Sequence, residues 1–420
     1  MKGLTPPALL LILFLVAGTA RADGWSPVFS SHDQGPEIMV AVDKDSQTLY
    51  VLGRHSPLEV VRKLPCTTGQ SDGDKVERGD LRTPEGVYFI EGRLDQGLDW
   101  ELYGDVAYPL NYPNPVDRIR GKSGSGIWLH GRGKQLVPRD TRGCVALADP
   151  DIDGLGKDLF TDMPVVIAGK VAWTETGGKD AQEAADLVHE VREWAKSWSA
   201  RSEHFFDFYA PKLLSASGID FDGFRAHKRN IFKSQPWIDV MVDNVKALQG
   251  PGYWVTWFDQ YYRTGSLTSA VGKRLYWQQD ESGNWRIVGR EITSASDDLA
   301  DKYLSSRSEE LRGLIHSWAE AWQKADLKDY ASFYDKAAVQ DGRRGADDIA
   351  AYKATLWAER PPRVVDVQDI EIRPHEMGLM ASFVQTYRDA SGYEDKGRKT
   401  LILTPTPDGW RIVNEQWRAL

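Results

Sequence analysis

The chain has 420 residues, 41% of them hydrophobic and 27% charged. At about 150 residues per domain that length calls for several folded units, and the balance is that of a globular chain. A net charge of −9 and a pI near 5.5 argue against a nucleic-acid partner, which needs a basic face. Two cysteines and no His-x3-His spacing give no metal-site pattern, and no cofactor is expected.

The N-terminus reads as an export signal. Lys2 supplies positive charge, 8–17 is apolar, and Ala20-Arg21-Ala22 is a small-residue cleavage site. The apolar run is only about half of the ~20 residues a bilayer span requires. Residues 1–22 are therefore read as a signal peptide, with an uncleaved anchor as the alternative. No later stretch has the apolar length of a membrane span, so the expected location is the cell envelope, periplasmic or secreted.

Residues 23–36 read as a short linker. Then 38–42 and 48–52 are β-rich runs around a polar turn, a hairpin, and 58–64 is a further strand. A polar, Gly-containing surface loop spans 69–81, and 86–90 is a strand. Residues 97–126 form a long irregular stretch of the kind that serves as a lid or binding loop. The prolines of 111–115 speak against helix there. Tyr103, Tyr108 and Tyr112 either line a groove or pack the loop onto the domain. A short helix over 149–160 and a closing strand over 164–169 complete the pattern.

Within this pattern, 127–147 carries the chemistry. His130 ends the apolar run Ile127-Trp128-Leu129, and Cys144 follows at the head of a second apolar run. A thiol of pKa ~8.5 needs a neighbouring base to act as a nucleophile near neutrality. Two short strands joined by a loop would bring the pair together. Gly143 lets backbone amides approach an oxyanion, and Arg142 adds positive charge beside the thiol. Cys66, at a strand end, reads as a small buried residue, and a disulfide with Cys144 is the alternative.

His130-Gly131 followed by Thr141-Arg142-Gly143-Cys144-Val145 resembles the signature of the L,D-transpeptidase catalytic domain of the YkuD type. Thr68-Gly69 and Thr83-Pro84-Glu85-Gly86-Val87-Tyr88 match further family positions. The resemblance implies a mostly-β barrel or sandwich over 37–170. It also implies Cys144 as nucleophile, His130 as general base and acid, and the Gly131 carbonyl as the group that orients the imidazole. Thr141, Arg142, Gly143, Arg132 and Tyr112 become candidates for substrate or oxyanion contacts. The family often has Arg or Asn two residues after the cysteine; Ala146 stands there instead.

Residues 171–185 read as a linker, and an internal repeat follows. Trp194 and Trp198 return as Trp318 and Trp322. Phe208-Tyr209 returns as Phe333-Tyr334, and Trp285-Arg286-Ile287-Val288 as Trp410-Arg411-Ile412-Val413. Phe258, Gln260, Tyr262 and Arg263 return as Phe383, Gln385, Tyr387 and Arg388. Each copy opens with an amphipathic helix, adds a short helix (221–232 or 347–357) and ends in antiparallel strands. This order resembles the nuclear transport factor 2-like (SnoaL-like) α+β cone, implying two such domains over 186–292 and 310–420. His227 aligns with Tyr352 and Asp239 with Val364, so no ionisable pair is expected to recur, and His204, His316 and His375 are read as surface or core-edge residues. Arg263 and Arg388 face either a pocket or an ion-pair partner. The copies are read as binding, positioning or self-association modules.

The resemblance implies a reaction. Cys144 would attack the amide between diaminopimelate and the terminal D-alanine of a peptidoglycan tetrapeptide stem, and an amine or water would receive the acyl group. Two other readings stand beside the transpeptidase: an L,D-carboxypeptidase that trims tetrapeptide to tripeptide in cell-shape control, and a non-catalytic murein-binding scaffold. Expected partners are peptidoglycan stems, other cell-wall proteins or a second copy of the chain.

Overall fold

A computed structural model describes residues 24–55, 58–174 and 178–420. The export signal read over 1–22 lies outside the described residues. In the first unit, β1 (Val28–Phe29), β2 (Ile38–Asp43), β3 (Thr48–Gly53), β4 (Glu59–Pro65) and β5 (Gly86–Phe89) come first. Then follow α1 (Trp100–Tyr103), β6 (Ala107–Pro109), α2 (Pro115–Ile119), β7 (Trp128–His130), β8 (Val145–Ala146), α3 (Asp149–Leu155), β9 (Pro164–Ala168) and β10 (Ala172–Trp173).

The main sheet has the order β4-β3-β2-β9-β5, and β6-β7-β8 form a second, smaller sheet. Strand β2 is apolar along almost its whole length because both of its faces are covered. Val40 and Val42 point into a core shared with Leu129 and Val145 of the small sheet. Met39 and Ala41 point the other way, into a cluster shared with Tyr253, Val255 and Tyr276 of the first repeat. The main sheet is thus sandwiched between the small sheet and the first repeat.

Four stretches differ from the sequence reading. Residues 23–36, read as linker, carry β1, which pairs in parallel with β10. The linker read over 171–185 holds β10 and the first turns of α4 (Lys179–Ser199). Asp180 of that helix takes hydrogen bonds from the Ser30 amide and hydroxyl, both 2.7 Å, which tie the start of α4 to the residue after β1. The 97–126 stretch contains two short helices and a strand. Pro115 begins α2 at the position where proline's missing N–H costs nothing, with Asn114 as a capping box. Finally, α3 stops at Leu155, short of 160.

The first repeat continues from α4 through α5 (Pro211–Ala216) and α6 (Phe221–Ser234) to β11 (Asp239–Gly250), β12 (Tyr253–Arg263), β13 (Thr268–Gln279) and β14 (Trp285–Thr293). The second runs α7 (Leu299–Gln323), α8 (Leu327–Ser332), β15 (Tyr334–Gln340), β16 (Arg343–Arg344), α9 (Ala346–Glu359), β17 (Pro362–His375), β18 (Gly378–Asp389), β19 (Glu394–Thr406) and β20 (Gly409–Ala419). In each copy the paired tryptophans of the long helix lie at the centre of the core. The same buried bond recurs: Trp194 Nε1 donates to Tyr209 and Trp318 Nε1 to Tyr334, both at 3.0 Å.

The copies differ at their edges. After Tyr334 the second copy extends as β15 beside β20, whereas after Tyr209 the first turns into α5. Next to α5, the Ser217 carbonyl accepts from Arg118 Nε of α2 at 3.0 Å, so this departure serves docking. The outer face of the first repeat's sheet grips the first unit. The Val87 amide donates to Tyr253 Oη at 2.9 Å, and Asn111 Nδ2 to Tyr276 Oη at 3.1 Å. Arg274 pairs with Asp162 and Glu291 and lies 4.0 Å over Phe89.

The helix that opens the second repeat extends upstream of residue 310 and starts at Leu299. The added turns bury Leu299 and Tyr303. Tyr303 stacks on Tyr261 at 4.5 Å and donates to Asp239, which also pairs with Arg307 at 2.7 Å. Arg263 faces this seam, donating to the Gly378 and His375 carbonyls, while Arg388 is exposed. The recurrent arginines therefore line no common pocket.

Candidate active site

Strands β7 and β8 run parallel, with Leu129 opposite Val145 and His130 opposite Ala146. Cys144 therefore stands level with Trp128. Side chains two apart on a strand share a face, so Cys144 and His130 project to the same side. The strand–loop–strand arrangement of 127–147 puts His130 and Cys144 on one face of the small sheet.

His130 is buried, and its Nδ1 lies 2.5 Å from the Gly131 carbonyl oxygen. A carbonyl only accepts, so Nδ1 carries the proton and Nε2 keeps its lone pair for the crevice. Burial lowers the His130 pKa to about 4; the Gly131 carbonyl opposes this and the Arg132 charge adds to it. The imidazole is thus neutral near pH 7 and ready to accept a proton. Tyr103 at the end of α1 meets its ring edge-on, with centroids 5.2 Å apart.

Cys144 is half-buried, and its Sγ–H donates to the Gly126 carbonyl at 3.4 Å. Burial raises the thiol to about 11, opposed by the Trp128 amide and the charge of Lys75. Burial thus favours the neutral form of both His130 and Cys144. Cys66 is buried in the core and free. Thr67 pairs with Ala146 in antiparallel fashion, which places Cys66 beside Leu147. That is about 10 Å along the strands from Cys144, beyond the reach of a disulfide.

The turn before Cys144 is fixed by Thr141 and Gly143. Thr141 Oγ1 donates to the Cys144 carbonyl at 2.7 Å and accepts from the Gly143 amide at 3.1 Å. Gly143 has φ +128, and a Cβ there would approach the Arg82 carbonyl at 2.8 Å, so glycine is required. Gly131 is constrained likewise, because a Cβ would collide with the Asp149 carboxylate.

The remaining candidates separate. Arg142 is exposed and has no hydrogen-bond or ion-pair partner among the described residues, which leaves its guanidinium available. Arg132 does not reach outward. It is buried and forks onto Asp140, through Nη2 to the carboxylate at 2.5 Å and Nη1 to the carbonyl at 3.0 Å, closing the 131–140 loop. Tyr108 and Tyr112 do not line a groove either; both are core residues, and Tyr112 packs on Tyr88 and donates to the Ser123 carbonyl. Their aromatic bulk is worth more inside than at a rim. Of the three tyrosines only Tyr103 borders the site.

Sequence reasoning missed Lys75, Trp128 and Asp149. Lys75 is buried with Asp80 at 2.7 Å, and no motif marks it. The Trp128 amide acts through the backbone, invisible to residue type. Asp149 had a signal in the two side-chain-less neighbours it packs against, Gly104 and Gly131. Among the described residues no group of three or more His, Cys, Asp or Glu is arranged to hold a metal ion, and no helix is long and apolar enough to cross a membrane.

The family model of the L,D-transpeptidase catalytic domain (YkuD) matches residues 37–167. That of the Cds6 C-terminal NTF2-like domain matches twice, over 186–291 and 310–416. Among solved structures, Bd1075 of Bdellovibrio bacteriovorus is similar at 26% identity and TM-score 0.52, covering 64% of this chain and 97% of that one. A mutant of the helical cell shape determining protein Pgp2 from Campylobacter jejuni shares the fold at 23% identity and TM-score 0.50, covering 61% and 91%. A search of curated proteins gives no match. The chain belongs to the L,D-transpeptidase family with a YkuD catalytic domain, extended by two tandem NTF2-like domains of the Cds6 C-terminal type.

Proposed function

We propose that this chain is an exported peptidoglycan L,D-transpeptidase that works through a cysteine acyl-enzyme. The observation that carries the reading is the His130–Gly131 contact. It fixes the tautomer, so that the free nitrogen of a neutral base opens onto the face from which Cys144 projects. Cys144 Sγ attacks the carbonyl carbon between diaminopimelate and D-alanine while its proton passes to His130 Nε2. The Gly143 amide is engaged by Thr141, which leaves the Cys144 amide as the backbone donor for the oxyanion. As the C–N bond breaks, Nε2 returns the proton to the leaving amine of D-alanine. The thioester is then opened by a stem amine, whose proton His130 takes. Arg142, unpaired at the rim, attracts a stem carboxylate.

The test is incubation of the chain from Asp23 onward with disaccharide tetrapeptide, alone and with an amine acceptor, read by mass spectrometry. Acceptor adducts that vanish in Cys144→Ala establish the transpeptidase. Tripeptide and D-alanine as sole products establish the carboxypeptidase that uses water instead. No Cys144-dependent product from either mixture overturns both and leaves the scaffold.

A further inference from the structure

Two contacts on the resting thiol come from one short segment. The Gly126 carbonyl accepts from Cys144 at 3.4 Å, and the Trp128 amide favours its thiolate. Between them, the Ile127 carbonyl accepts from the Leu110 amide at 3.0 Å. The segment facing Cys144 is therefore held where Leu110 and its neighbour Asn111 are held.

Asn111 is buried, and its side chain is engaged at both ends. Oδ1 accepts from the Phe89 amide at 2.8 Å. Nδ2 donates to Tyr276 Oη at 3.1 Å and to Glu291 at 2.9 Å. Tyr276 in turn donates to Glu291 at 2.9 Å, and Arg274 Nη1 does so at 3.1 Å. Both acceptors of Nδ2 thus belong to the first repeat. Three residues on, Asn114 Nδ2 donates to Tyr253 Oη at 3.1 Å. Pro115 rests on Gly289, where an added Cβ would stand 2.2 Å from the proline's own. Leaving a buried amide half-satisfied is costly, so Asn111 keeps its place only while the first repeat is docked.

The second repeat lacks every part of this clasp. By strand register, Tyr276 opposite Gly289 corresponds to Ile402 opposite Asn414, and Glu291 then corresponds to Gln416. Tyr253 and Gly378 open the corresponding strands β12 and β18. The core tryptophans recur between the copies, and the four residues that hold the 111–115 corner do not. What sets them apart is docking rather than the fold.

We propose that the first repeat completes the candidate site: Tyr276 and Glu291 are positioning residues that fix the Cys144 thiol through Asn111 and the 110–128 segment. Calling that thiol the nucleophile rests on the proposed function; its being held from the first repeat does not. When the clasp opens, Gly126 and Trp128 lose their place, water reaches Sγ, and the burial that raises the thiol weakens. The thiol then ionises more easily but is worse aimed, and a misplacement of about 1 Å is enough to cost about 10²-fold in rate.

The test uses the full chain and two readouts. One is alkylation by iodoacetamide at pH 8, followed at each cysteine by peptide mass spectrometry; the other is steady-state release of D-alanine from disaccharide tetrapeptide. Cys66, buried in the core, reports unfolding. In Tyr276→Phe and Glu291→Ala, Cys144 should react about tenfold faster, as a thiol pKa lower by about 1 gives at that pH, with Cys66 still protected. The same variants should lower kcat about tenfold with KM within about twofold of the parent. Glu291→Gln, which keeps an acceptor for Asn111, should recover most of both. Asp180→Asn loosens another tie between the same two units, at Ser30; it should lower the melting temperature and leave Cys144 unchanged. Unchanged alkylation in both Tyr276→Phe and Glu291→Ala overturns the proposal. So does labelling of Cys66 in step with Cys144, or an equal acceleration by Asp180→Asn, because the clasp would then hold the fold rather than the thiol. If the chain releases no D-alanine, the alkylation readout still decides, so the proposal and the proposed function fail separately.

Discussion

In the candidate crevice, half-buried Cys144 and buried His130 lie against backbone groups, the Trp128 amide and the Gly131 carbonyl. In the second repeat, Lys399 and Glu415 are buried against each other. Burial favours the neutral form of the crevice pair, pushing the thiol up to about 11 and the imidazole down to about 4. Burial also acts on Glu415, but Lys399, Lys353 and the Tyr334 hydroxyl outweigh it and hold the carboxyl below its usual range. A backbone partner carries no charge of its own, so it leaves a group free to change protonation. A buried counter-ion fixes the charge. The crevice pair is thus left able to change protonation, and the second repeat's pair is held charged.

The largest effect that sharpens this contrast is at the thiol. Cys144→Ala should lower tetrapeptide turnover by about 10³-fold or more, while thermal unfolding stays within about 0.5 kcal/mol of the parent. A comparable loss of stability would mean that the thiol is there for packing. The converse change is Glu415→Gln. It leaves Lys399 charged and buried without a counter-ion, which should cost about 3–5 kcal/mol in urea unfolding. Cleavage per folded molecule should be unchanged. A cost below about 1 kcal/mol would place the pair with exposed ion pairs and break the contrast.

A pH profile separates the two environments next. His130 must be neutral to take the thiol proton, and with its pKa near 4 it is so throughout the mildly acidic range. The kcat/KM for tetrapeptide should therefore be about nine-tenths of its plateau at pH 5, where a histidine of ordinary pKa ~6.5 would leave about 3%. The same depression carries a stability cost. The unfolded imidazole gains its proton from about pH 6.5 downward, so His130's contribution is complete above that pH and is lost as pH falls toward 4. An acid limb of kcat/KM centred near 6.5 would contradict the burial argument.

These contrasts show what the sequence discloses. His130 and Cys144 were legible as candidates because a nucleophile and base need particular residue types, and their placement on neighbouring strands was legible because two apolar runs flank a loop. The repeats were legible because their tryptophans, Phe258/Phe383 and Gln260/Gln385 keep nearly constant spacing. Arg132 and Tyr112 were misplaced for a physical reason. Residue type says that a guanidinium or phenol can bind a ligand, but not that Asp140 or Tyr88 already occupies it. Arg274, which pins Asp162 across the domain seam, had no sequence signal, because partners from different domains share no periodicity. Lys228 and Lys353 lie over Trp198 and Trp322 in the two repeats, a recurrence of ionisable groups that the alignment of His227 and Asp239 did not reveal.

A smaller effect lies in the turn that aims the thiol. Thr141→Val keeps the shape of the side chain but removes the hydroxyl that joins the Gly143 amide to the Cys144 carbonyl. Because the lost contacts orient rather than react, kcat should fall by about tenfold, in the range of one or two hydrogen bonds. Thr141→Ser, which retains the hydroxyl, should recover most of it. Equal losses in both variants would show that the methyl group, not the hydroxyl, holds the turn.

The smallest expected effect is at Arg142, and it tests where the crevice ends and the substrate's own charges begin. The guanidinium is exposed and has no partner among the described residues, so removing it breaks nothing inside the protein. If it acts only by attracting a stem carboxylate, the lost energy is shared by ground and transition state. Arg142→Ala should then raise KM about three- to tenfold with kcat unchanged. The difference from the parent should shrink as salt shortens the Debye length from about 10 Å at 0.1 M. A fall in kcat without a change in KM would instead place Arg142 at the developing oxyanion. The crevice would then hold a fixed positive charge after all, and its likeness to the ion-paired interior of the second repeat would be closer than the resting structure indicates.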